Sequence, residues 1–132
     1  MIGIAALLLL SATTVGEASM SDQIVQGSVY DQRIAKCGVV VSTGAMASLR
    51  PFIETSSQLG GTVRLSVTKR SNSGTSQTSQ SWNFSGGTLG SSQVAIDLPA
   101  SVSLQMSVTD NNGAALCGVE QDLVLNKNGA SA

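Results

Sequence analysis

The chain has 132 residues, with 7 Lys+Arg against 8 Asp+Glu, no histidine and 2 cysteines. This is enough material for one domain with almost no net charge. Without histidine there is no imidazole base for a serine or cysteine nucleophile, and two distant cysteines alone cannot close a Cys/His zinc site. The basic residues are few and scattered, which excludes an electrostatic nucleic-acid binder. Serine, threonine and glycine supply about a third of the chain and charged residues only 11%, a composition of exported β-proteins.

Residues 2–10 form an apolar run with four consecutive leucines, followed by small and polar residues up to Ala18. The run is far shorter than the roughly 20 residues a bilayer span needs, but it fits a signal-peptide core. Gly16-Glu17-Ala18 places small residues where a signal peptidase reads, so residues 1–18 are expected to be a signal peptide and the mature protein periplasmic. No Lys or Arg precedes the apolar run; an N-terminal helix of the fold is the alternative reading. Residues 19–36 follow neither the strand nor the helix period and are expected to be a flexible leader.

From Cys37 onward the dominant period is two. In 62–69 the apolar residues Val63, Leu65 and Val67 are odd-numbered; in 102–109 Val102, Leu104, Met106 and Val108 are even-numbered. Further strands are expected over 37–42, 46–56, 77–85, 92–98 and 116–125. Turn chemistry separates them at Thr43-Gly44, Gly60-Gly61, Ser71-Asn72-Ser73-Gly74, Gly86-Gly87 and Asp110-Asn111-Asn112-Gly113. About seven short strands without a helical period indicate an all-β, immunoglobulin-like antiparallel β-sandwich over residues 37–125, with a small closed barrel as the alternative. Residues 126–132 are expected to be a disordered tail. Pro51 lacks a ladder N–H, so 46–56 should be an edge strand or bulged.

Cys37 is in phase with Val39 and Val41, and Cys117 with Val119, so both sulfurs should face inward. In an oxidising compartment such a pair most simply forms one disulfide. A redox-active pair is the rival, but those cysteines usually lie two residues apart beside a helix N-terminus.

No G-x-S-x-G elbow, S-x-x-K pair or phosphate-binding loop occurs. Glu54, Asp97, Asp110, Glu120 and Asp122 are spread over different strands and turns, and Asn83-Phe84-Ser85 is a formal glycosylation acceptor of the kind that arises by chance. No enzyme activity, cofactor or metal site is expected. Two features remain. Arg64, Lys69 and Arg70 put three basic residues within seven positions, and the tract 73–84 is rich in hydroxyl and amide groups and ends in Trp82 and Phe84. They read either as a charged edge followed by a strand whose Trp82 and Phe84 fill the core, or as a basic surface that meets a flexible, amide-rich polypeptide.

The order of these features resembles a known family. Cysteine on the first strand, an alternating strand ending in basic residues, Ser-Gly-Thr-Ser leading into Gln-x-x-Gln-Ser-x-x-Phe, Thr88-Leu89-Gly90, and cysteine on the last strand look like the curli-associated chaperones of the CsgC/CsgH type, most like the CsgH branch. The resemblance covers about residues 37–120 and is most specific over 61–90. It implies a small periplasmic protein that keeps the curli amyloid subunit from polymerising before secretion, through transient, electrostatically guided contacts. Carried over, the family's client-binding positive charge falls on Arg64, Lys69 and Arg70. The departures are Trp82 where a small residue is usual, a longer leader, and no Cys-x-Cys of the CsgC branch. The chain is thus expected to be a monomer whose partner is the curli amyloid subunit, with no membrane association after signal cleavage. The alternative is an exported adhesin or minor surface-fibre subunit assembling by strand addition.

Overall fold

The computed structural model describes residues 21–55, 58–86, 89 and 92–132, so the expected signal peptide lies outside the described residues. The period-two segments become β3 (Ile34–Thr43), β4 (Met46–Thr55), β5 (Gly61–Ser71), β6 (Gly74–Phe84), β7 (Val94–Asp97), β8 (Ala100–Asp110) and β9 (Ala115–Asn126). Three short strands are added: β1 (Ser21–Gln26), β2 (Ser28–Val29) and β10 (Gly129–Ser131). Every expected strand is present, and no helix occurs among the described residues.

The strands form two antiparallel sheets. Sheet A has the order β1-β3-β4-β7; sheet B has the order β10-β9-β8-β5-β6, with β2 paired to β9. Counting β3 as the first of seven, the sheets contain strands 1-2-5 and 4-3-6-7. This is an immunoglobulin-like sandwich whose fourth strand has joined the second sheet. Both sheets keep free edges among the described residues, so the closed barrel is not the fold.

The alternation seen in the sequence is the division between core and surface. Val39, Val41 and Leu49 of sheet A meet Val63, Leu65, Leu104 and Val108 of sheet B, all at 1% exposure or less. Each such side chain contributes about 1.5–3 kcal/mol on burial. Cys37 on β3 and Cys117 on β9 form the expected disulfide, Cα to Cα 6.6 Å, and tie the two sheets together at their inner faces.

The leader expected over 19–36 requires correction from Ser21 onward. β1 pairs with β3 from Ser21↔Thr43 to Gln26↔Gly38, and β2 pairs with β9. The segment shows no single period because it changes sheet halfway, at Gly27. A Cβ there would stand 2.5 Å from the Cys37 sulfur and 2.8 Å from the Gly118 carbonyl oxygen, so only glycine lets the crossing pass beside the disulfide. The tail expected to be disordered over 126–132 is corrected likewise: β10 turns back onto β9, and the Gln23 amide Nε2 donates to the Ala130 carbonyl at 2.9 Å, linking it to β1.

Pro51 occupies a divided strand. β4 is paired on both sides from Ala47 to Leu49, but β7 ends opposite Leu49, and beyond it β4 has only β3 among the described residues. Pro51 thus lies in the half of β4 that is an edge, where a missing donor is tolerated.

Candidate functional site

The outer face of sheet B is assembled from the residues that alternate with its core side chains. The ladders align Ser107, Arg64 and Ser81 in one row and Glu120, Gln105, Ser66 and Ser79 in the next. A third row holds Asp122, Ser103, Thr68 and Gln77, and a fourth Val124, Ser101, Arg70 and Thr75. Period two on four neighbouring strands therefore makes a broad face of hydroxyl, amide and charged groups. Its side chains bond across strands: the Ser66 and Ser79 hydroxyls at 2.8 Å, Thr62 Oγ1 donating to Asn83 Oδ1 at 3.3 Å, and Gln105 Nε2 donating to Glu120 Oε2 at 3.3 Å. Val124 is the one large aliphatic side chain on these rows, at 49% exposure.

The structure separates the three basic residues. Arg64 and Arg70 lie in the outer rows opposite Ser81 and Thr75. Arg70 Nη2 donates to Ser103 Oγ at 3.0 Å. Arg64 has no hydrogen-bond or ion-pair partner among the described residues, so its five donors face solvent or a ligand. Lys69 pairs in register with Val102, a core position, and points to the other face. Its side chain is only 19% exposed and its Nζ lies 3.9 Å from Asp97 Oδ2 of β7. Lys69 thus bridges the two sheets at the rim, turned away from the outer face on which the arginines lie, and borders with Arg70 an open depression at that end of the sandwich.

Around Arg64 the outer face is hollow. Ser107 and Gly118 floor an open depression of about 670 Å³, flanked by Tyr30, Arg64, Gln105 and Glu120. The Tyr30 hydroxyl lies 3.1 Å from where a Gly118 Cβ would stand, so a larger residue there would push the exposed ring outward by a few tenths of an ångström. Tyr30 is held from both sides along the chain. Its N–H donates to the Leu116 carbonyl at 2.9 Å, and the following residues are clamped: Arg33 Nη2 donates to Asp31 Oδ2 at 2.9 Å and to Asp110 Oδ2 at 3.1 Å. Hydrogen bonds from the Arg33 side chain and backbone lower the Asp31 carboxyl to about 2. Asp110 is lowered chiefly by the Ala114 and Asn112 N–H groups it accepts, then by Arg33. The Arg33 guanidinium is raised in turn.

Tyr30, Gln105 and Glu120 were not among the residues expected from the sequence. Glu120 shares one face of its strand with Asp122, which the alternation does reveal. That this face lies beside Arg64 follows only from the order β9-β8-β5.

Trp82 stands opposite Val63 on the inner side of β6 and packs, partly buried, against the core; Phe84 beyond it is 4% exposed. Trp82 is therefore a rim residue of the core, and the outer face lacks it.

No family model and no curated protein matches this chain. Among solved structures it is similar to the solution structure of R. palustris CsgH, at 14% identity and a TM-score of 0.47, covering 76% of this chain and 91% of that one. A likeness of this size carries no argument about what the chain binds.

Proposed function

We propose that this chain is an exported binding protein, a periplasmic chaperone of the curli-associated type that delays polymerisation of the curli amyloid subunit. Two things support the reading: the order of residues over 37–120 described above, and the chemistry of the outer face of sheet B. The carrying observation is Arg64, an unpartnered guanidinium beside a depression in a face of hydroxyl and amide groups. Such a face offers an unfolded polypeptide many weak hydrogen bonds, while Arg64 and Arg70 on β5 give its β6 side a local positive charge that steers carboxylates of a client there, Glu120 and Asp122 lying on β9 at the other side. Steering raises encounter rates, is screened by salt, and requires no deep pocket. Lys69, turned to the rim, takes a lesser part.

The test is fibrillation of purified curli subunit with the chaperone well below equimolar ratio. A lengthened lag is expected, because intercepting rare early oligomers needs fewer molecules than capturing every monomer. An unchanged lag at every ratio overturns the proposal.

A second reading, a surface-fibre subunit that assembles by strand addition, is favoured by one observation: β6 is a long strand with an unpaired edge among the described residues. Open-ended polymers of the purified chain would favour it.

A further inference from the structure

The terminal strands of the two sheets differ in how they are protected. β10 is 3 residues long, β7 is 4, and β1 is 6 with Asp22 in it. β6 is 11 residues long and pairs only with β5 among the described residues. It contains no proline and no charge, and no charged residue occurs from Ser71 to Ile96. Short length, lysine and proline are the usual defences of a free edge. β6 has none of them.

We infer that β6 is a homodimer edge, pairing antiparallel with β6 of a second copy about a two-fold axis at Ser79. The occupant is argued from β6 itself. Pairing all of 74–84 sets Ser79 against Ser79, Gln77 against Ser81, and Thr75 against Asn83 of the second copy on the outer face. These combinations are of the same kind as Ser66–Ser79 and Thr62–Asn83, which already bond between β5 and β6. On the inner face Trp82 meets the second copy's Ser76, which covers its exposed part.

Charge permits this pairing. Arg64 lies in the row of Ser81, and that row continues into the second copy's Gln77 and Thr68; the Arg70 row continues through Thr75 into Asn83 and Thr62. No arginine faces an arginine across the axis. The interface is isologous, so it closes at two copies and builds no fibre. This departs from the monomer expected from the sequence, and it is independent of the client proposed above.

Sedimentation of the purified chain over a wide concentration range, joined to site-specific cross-linking, tests the pairing. The expected result is a mass that doubles with concentration. Ser79→Cys should form an intermolecular disulfide reversed by reductant, because the two positions face each other. Ser81→Cys should not, because its opposite is Gln77. Ser79→Lys sets two like charges directly opposite and should leave a folded monomer whose Tm, unlike that of the wild type, does not rise with concentration. A monomer at every concentration without cross-linking of Ser79→Cys overturns the inference. So does a Ser79→Lys chain that still dimerises, or equal cross-linking at Ser81.

Discussion

Lys69 and Arg70 are consecutive in the chain and act on opposite faces of one sheet: Lys69 Nζ lies 3.9 Å from Asp97 across the sandwich rim, while Arg70 Nη2 donates to Ser103 Oγ at 3.0 Å on the outer surface. A cluster compact in sequence is thus divided by the pleat, since successive side chains of a strand point to opposite sides.

That division predicts unequal effects on client handling. On the proposed function, in which the chain delays curli-subunit fibrillation, Arg64→Gln with Arg70→Gln should shorten that lag, and raised salt should mimic the double variant. Lys69→Gln should leave the lag close to wild type. Melting should change little in the double variant, because exposed charges contribute about 0–1 kcal/mol. Equal loss from Lys69→Gln would place the contact surface at the rim.

Phe84 and Trp82 should separate by burial. Phe84→Ala is expected to cost about 3–5 kcal/mol, as for a buried aromatic. Trp82→Ala should cost about half of that, since part of its ring already meets solvent. Chemical denaturation measures both, and Trp82 emission should lie between that of a buried indole and that of free tryptophan.

The Cys37–Cys117 disulfide closes a sequence separation of 80. On the chain-entropy model it stabilises by about 4–5 kcal/mol at most. Replacing both cysteines with serine should lower the Tm by many degrees. Intact protein purified without reductant should be two hydrogens lighter than the reduced chain and yield one linked peptide on digestion; two alkylatable thiols would contradict the pairing.

Acid should loosen the clamp that follows Tyr30 in the chain. Asp31 has a folded pKa of about 2, below its ordinary 3.8, so its stabilising contribution is complete above about pH 4 and lost as pH falls toward 2. Asp110 is shifted in the same direction. Thermal melts between pH 5 and pH 2 should show a shallower acid slope for Asp31→Asn than for wild type. Identical slopes would remove the clamp from the acid response.

The sequence by itself determined the strands, which side of each is apolar, and the inward direction of both cysteines, because alternation is a local property read over a few residues. Even there it missed Ser21–Gln26, Ser28–Val29 and Gly129–Ser131, the pattern of the first two breaking where Gly27 carries the chain from one sheet to the other. Pairing order was beyond it. Only the tertiary structure decided that β5 lies between β6 and β8, that Arg64 therefore stands beside Tyr30, Gln105 and Glu120, and that Lys69 turns away from Arg70 toward Asp97. The physical reason is that strands distant in sequence become neighbours through backbone ladders and a shared core, and a surface spanning several strands has no trace within any one of them.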